Sequence, residues 1–177
     1  MIIHLVSDLH LEFGYQELPG GDVLILAGDI CEARTLRKEF HQTKVIDRVP
    51  GAFKSYDFFY SECAKYKKVF MVMGNHEHYH GRFDKTYNEL KAMMPENVVL
   101  LEKECFEYEG VLFLGATLWT DCNKGDALTL YHLEQCMSDF RVIRIAGENF
   151  KKFLPKRTVM EFTNTRDYFK QVITNLP

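Results

Sequence analysis

The sequence predicts an α/β sandwich. Three short apolar runs, at positions 2–7, 23–27 and 69–73, each end in polar residues, with helical patterns between them. A two-strand pattern with a Glu109-Gly110 turn then follows. Strands that alternate with helices indicate packed layers around a mainly parallel sheet.

The first run is followed by a polar stretch ending in the turn Pro19-Gly20-Gly21. Asp22 leads into the second strand, which ends at Gly28-Asp29. Helical patterns cover 33–49, stopping near Pro50-Gly51, and 55–66, where aromatics recur on one face. The third strand ends in Gly74-Asn75-His76-Glu77, and all three runs read as buried strands. A helix over 82–94 is closed by Pro95, and a short strand occupies 98–101. The hairpin pairs 105–108 with 111–115. Beyond it, weaker patterns suggest helices over 126–135 and 147–153 and a longer closing helix over 158–173.

The length of 177 residues suits one domain spanning 1–177. A chain of this size removes roughly 70% of its unfolded surface from water, so a proper core is available. A hydrophobic fraction of 46% with only five prolines argues against disorder. A net charge of -3 gives no reason to expect a general polyanion binder. The basic groups at Lys65, Lys67 and Lys68 and at Lys151, Lys152 and Arg157 read as solvated helix ends. Five cysteines without a CxxC pair speak against a zinc knuckle or disulfide framework and for a reducing compartment. The start lacks a basic leader, and no apolar run approaches a membrane span, so a cytoplasmic protein with no membrane association is expected.

The chemistry gathers at the strand ends. Asp8 and His10 follow the first strand, Asp29 the second, and Asn75 and His76 the third. In open α/β sheets ligands sit beyond the carboxyl ends of strands, so these residues can converge. Carboxylate oxygen with imidazole nitrogen suits Mn²⁺, Fe or Zn²⁺ better than Ca²⁺. Asn75 can add an oxygen without charge, and His76 can stabilise a phosphate or protonate a leaving alkoxide. Taken singly, each has a plainer role: Asp8 and Asp29 in turns, His10 as a structural histidine, Gly74-Asn75 as a turn pair, His76 on the surface. His78 and His80 read as polar surface residues. His4, His41 and His132 read as structural, although His132 could replace a missing ligand.

Asp8-Leu9-His10, Gly28-Asp29 and Gly74-Asn75-His76-Glu77 resemble the first three signature blocks of the calcineurin-like metallophosphoesterases. A small prokaryotic and phage branch is the nearest in wording, with its opening at positions 7–13 and a block at positions 115–121. The resemblance implies an incomplete four-layer αββα metallophosphoesterase sandwich. It also implies two divalent metals, Mn²⁺ first with Fe or Zn as alternatives. Asp8 and His10 would bind one metal, Asp29 would bridge, Asn75 would bind the second, and His76 would contact the phosphate. The implied reaction is hydrolysis of a phosphomonoester or phosphodiester by metal-bound hydroxide. The family's later histidine block and its Gly-His-x-His block have no counterpart in these residues, which leaves the expected site incomplete. The alternative is therefore an impaired, truncated phosphoesterase acting as a binding or structural protein. The expected partner is a phosphate ester, a nucleotide among the options: Phe13, Tyr15, Tyr79 and Trp119 near the mouth could stack a base, although core packing is an equal reading of Trp119. Self-association through an exposed, incomplete sheet is also expected.

Overall fold

The apolar runs are long enough for short strands, and the chain between them is long enough to cross one sheet face, which parallel pairing requires. In the computed structural model, which describes residues 1–43 and 53–176, four strands lie in sequence order and are all parallel. They are β1 (Ile3–Val6), β2 (Gly21–Ala27), β3 (Tyr66–Val72) and β4 (Val98–Leu100). The central pair is buried, with Val23, Leu24, Leu26, Val69 and Met71 fully enclosed.

β1 corrects one expectation. It is an edge strand whose Leu5 is 67% exposed. Ile3 and Leu5 pair with Val23 and Ile25 and so share their sheet face. The cluster covering that face takes in Val23 and Ile25 but does not reach Ile3 or Leu5.

Helices cover the opposite face. α1 (Ala33–Gln42) buries Ala33 and Leu36 there. The rest of the helix expected to 49, with the turn at Pro50-Gly51, lies outside the described residues. The next helix begins as α2 (Lys54–Asp57), widens into a π turn over Phe58–Glu62 and tightens into a 3₁₀ turn over Cys63–Lys65. It buries Phe58 and Phe59 completely, each worth about 1.5–3 kcal/mol as side-chain burial. α3 (Phe83–Lys91) is shorter than the expected 82–94, because Met93 already bonds Leu90 in a tighter turn ahead of Pro95.

The hairpin forms as expected, with β5 (Glu104–Tyr108) antiparallel to β6 (Val111–Gly115). Glu109 and Gly110 both have positive φ, at 50° and 75°, the twist that a two-residue loop needs to match its strands. Phe106, Tyr108 and Phe113 pack on Phe70 of β3, with the Phe70 and Phe113 rings stacked 4.0 Å apart. The hairpin is thus a second β layer behind the parallel sheet.

After a left-handed turn at Cys122–Gly125, α4 (Ala127–Cys136) starts at Asp126, whose carboxylate accepts the Thr129 N–H at 2.8 Å. α5 (Asp139–Val142) leads into β7 (Arg144–Ile145), which pairs antiparallel with β8 (Lys151–Lys152). The expected helix over 147–153 is therefore reduced to a 3₁₀ turn at Ala146–Glu148. Asn149 and Phe150 adopt left-handed backbone that reverses the chain instead. The basic pair Lys151 and Lys152 consequently lies on a strand rather than a helix end. α6 (Pro155–Thr174) closes the fold, starting three residues earlier than expected because proline suits a first helical turn. Phe140, Ile143, Ile145 and Phe153 form a separate core beneath Trp119 and Phe83.

Candidate functional site

The loops beyond β1 and β2 run side by side. Asp8 N–H donates to Gly28 O at 3.1 Å, His10 N–H to Asp29 O at 3.1 Å, and Leu11 N–H to Ile30 O at 2.9 Å. Asp8, His10 and Asp29 all have left-handed backbone, with φ of 54°, 44° and 54°. For non-glycine residues this costs of order 1–3 kcal/mol each, and it persists only where surroundings impose it. Here the paired loops impose it and turn three potential ligands toward one place.

The third loop joins them through glycine and a buried carboxylate. Gly28 and Gly74 meet backbone to backbone: a Cβ on Gly28 would stand 2.9 Å from Gly74 N. Glu77 is fully buried and accepts from four backbone N–H groups. These are Ile30 at 2.7 Å, Gly74 at 2.7 Å, Asp29 at 3.1 Å and Cys31 at 3.3 Å. Burial pushes its carboxyl up to about 7, while those N–H donors pull the other way. One side chain therefore ties the loop after β2 to the loop after β3. His76 N–H completes the link by donating to Asp29 Oδ1 at 2.9 Å.

Two groups of donor atoms result. Ligand atoms of Asp8, His10 and Asp29 lie within 4.8 Å of one another, as do those of His10, Glu12 and His76. Glu12 Oε1 lies 3.3 Å from His10 Nδ1 and 3.0 Å from His76 Nδ1, and the two imidazole nitrogens are 3.2 Å apart. The participation of Glu12 was missed in the sequence. Its signal was the alternation of polar residues at positions 8, 10 and 12. Asn75 has a different setting: its amide donates to Tyr79 OH at 3.4 Å, leaving the carbonyl oxygen available. It lines a cavity of about 380 Å³ with Trp119, Met137 and Asp139.

Tyr79 stacks on His76 with ring centres 4.1 Å apart and donates to Asp139 Oδ2 at 3.2 Å. Asp139, nearly buried and 60 residues away in sequence, had no local signal to mark it. His78 is buried rather than a surface residue, and burial takes its imidazole down to about 3. Its helical turn directs it inward, to within 4.8 Å of the Phe83 ring centre. His80 is on the surface as expected and bonds Glu32 at 3.0 Å. His4 bonds Tyr66 OH at 2.9 Å, a structural role. His132 is exposed on α4 against Tyr131 and does not join the site. Trp119 packs against Phe153 and Phe83, so core packing accounts for it.

The donor set fits divalent cations. Two aspartates brought this close repel unless a positive charge lies with them. Glu12 Oε2 is buried without a hydrogen-bond partner, as a carboxylate oxygen reserved for a cation would be. Oxygen and imidazole donors together suit Mn²⁺, Fe or Zn²⁺.

The family model for calcineurin-like phosphoesterases matches residues 1–170. An uncharacterised protein, L509, of Acanthamoeba polyphaga mimivirus is 26% identical over 157 residues. That alignment covers 84% of this chain and 54% of the viral protein, so the chain spans about half the length of this relative.

Proposed function

We propose, because the chain belongs to the calcineurin-like phosphoesterase family, that it hydrolyses a phosphomonoester or phosphodiester with two divalent cations. The convergence of Asp8, His10 and Asp29 donor atoms within 4.8 Å carries this reading. Asp8, His10 and Asp29 would hold one cation, with Asp29 and Asn75 toward a second. Mn²⁺ is the first choice and Fe or Zn the alternatives. Bound cations would supply Lewis acidity toward phosphoryl oxygens and lower the pKa of an attacking water.

The chain's own residues orient and shuttle. His76, with Nδ1 engaged by Glu12, keeps Nε2 to face a phosphoryl oxygen or to protonate the leaving alkoxide. Tyr79 holds that ring by stacking and is itself held by Asp139. Phe13, 79% exposed and 6.2 Å from the His10 ring, offers a face to an aromatic or nucleotide ester. A cytoplasmic setting suits five cysteines that are all free.

The test is hydrolysis of an activated phosphodiester with and without Mn²⁺. Metal-stimulated turnover that disappears in Asp29→Asn supports the reading; turnover unchanged in that variant rejects the bridging role. The second reading is a non-catalytic binding protein. It draws on the His10–Glu12–His76 contacts, which engage the proposed catalytic ring with its neighbours. Metal binding without turnover in the folded protein would favour it.

A further inference from the structure

A second polar cavity, of about 340 Å³, lies between α1, the segment after His78 and the β7–β8 turn. Arg34, Arg37, Arg82 and Arg144 line it with His80 and Phe150. Glu89 is the one carboxylate in that lining among the described residues, and it is shared: its Oε1 pairs with Arg37 at 3.1 Å and also with Arg82, while Glu32 reaches His80 at 3.0 Å from outside it. Arg144 spends Nη1 on the carbonyls of Arg141 and Ile143, at 2.9 and 3.2 Å, and has no acidic partner among the described residues. Arg34 is exposed and makes no hydrogen bond or ion pair among the described residues.

The backbone brings two of these residues side by side. Arg82 and Arg144 are β-bridge partners, with Arg144 N–H donating to Gly81 O at 3.3 Å. Four guanidinium groups lining one cavity repel, and Glu89 balances only part of that charge through Arg37 and Arg82. An anion between the guanidinium groups removes that cost, and the planar guanidinium fork matches phosphate oxygens. At the rim, Asn149 and Phe150 have φ of 55° and 57°, and this turn leaves the Phe150 ring 61% exposed. An exposed ring beside a phosphate-sized anion site is a stacking face for a nucleobase.

We propose that this cavity binds a phosphate adjoining a base, with the phosphate on the arginines and the base on Phe150. A nucleoside polyphosphate and a short single strand of nucleic acid share that chemistry. The cavity borders the candidate centre along the chain, since His80 follows His76 by four residues and Arg34 follows Asp29 by five. Its use as the arm holding the far end of a substrate rests on the phosphoesterase reading. Its affinity for phosphate does not.

Calorimetric titration of EDTA-treated protein at low salt, with pyrophosphate, ADP and hexathymidylate, separates the cavity from any metal centre. Pyrophosphate and ADP should bind, ADP more tightly, and Arg34→Ser with Arg144→Ser should weaken both about tenfold or more. Phe150→Ser should weaken ADP and leave pyrophosphate unchanged. Hexathymidylate binding more tightly than ADP would identify nucleic acid as the ligand source, and the opposite order a mononucleotide. No binding of any probe by folded protein overturns the proposal. So does binding that the arginine variants leave unchanged, and an unchanged ADP affinity in Phe150→Ser overturns the base contact. Intact turnover of a small activated diester in the arginine variants would leave the catalytic reading standing whatever the titrations show.

Discussion

The Asp29 carboxylate occupies the space where a side chain on Gly74 would begin. A Cβ there would collide with Asp29 Oδ1 and stand 2.8 Å from the Asp29 backbone nitrogen. The glycine in the third loop thus makes room for the acid of the second. Gly74→Ala must push that carboxylate away from Asp8 and His10, since the neighbouring backbone is pinned by Glu77. The expected outcome is a loss of Mn²⁺ affinity and at least a hundredfold fall in metal-dependent turnover, while the circular dichroism spectrum stays native. Metal titration beside the rate assay checks it, and wild-type affinity in Gly74→Ala would refute it.

Glu77 anchors both loops from beneath. Glu77→Gln replaces an acceptor facing four N–H groups by an amide that brings donors of its own. Above about pH 7, where Glu77 is ionised, hydrogen bonds to its charged carboxylate are worth about 1.5–3 kcal/mol each, and unpaired N–H groups remain when they are lost. Urea unfolding should show a loss of roughly 3 kcal/mol or more in Glu77→Ala, with a smaller loss in Glu77→Gln. Equal stability of all three proteins would remove Glu77 from this role.

Much of this site was legible because each ligand type followed an apolar run, and parallel strands bring their ends to one edge. The meeting of Asp8, His10 and Asp29 donor atoms at one edge was legible that way. Glu12 and Asp139 were not: Glu12 enters through a left-handed turn at His10, and Asp139 through tertiary packing on Tyr79. His78 was misplaced because its neighbours are polar, whereas the short helical turn points it into an aromatic core. The strands and hairpin were legible from apolar patterns, but the β7–β8 turn was not, since two left-handed residues leave no periodicity.

Tyr15 and Glu62 give the fold two distinct pH limits. Glu62 accepts from Leu18 N–H at 2.6 Å, Lys65 at 2.7 Å and Tyr15 OH at 3.1 Å. Burial pushes the Glu62 carboxyl up, but these donors together hold it below its ordinary value. A carboxyl lowered in the folded state contributes stability above its unfolded value, and loses it as pH falls through the folded value. Tyr15 moves up to about 12 through burial and the Glu62 bond, so its contribution is present below pH ~10 and lost as pH climbs toward 12. Thermal melts against pH should show Glu62→Gln flattening the acid limb and Tyr15→Phe flattening the alkaline one. Unaltered limbs would sink the assignment.

His78 acts at milder acidity. Buried and neutral, it titrates near 3 in the folded protein against about 6.5 unfolded, so stability is full above 6.5 and falls as pH drops toward 3. Going from pH 8 to pH 5 should cost about 2 kcal/mol through this one residue. His78→Phe, placed beside Phe83 and Trp119, removes the titration. Its unfolding free energy should vary less between pH 8 and 5 than the wild type's, and an identical slope would show that His78 is not the group responsible.

The uncovered face of β1 sets the last expectation. Ile3 and Leu5 are exposed on one face of an edge strand whose outer backbone groups have no strand neighbour among the described residues. Such an edge is a template for pairing, and the one partner always present at high concentration is a second copy. Two copies joined edge to edge about a twofold axis would pair those backbone groups and set Ile3 and Leu5 of both copies side by side on the extended sheet. Leu5→Lys places a charge in that seam while leaving the half-buried His4 and Val6 of β1 intact. Sedimentation velocity over rising concentration should show dimer for the wild type and monomer for Leu5→Lys. A wild-type protein that stays monomeric throughout would mean that these apolar side chains simply face water.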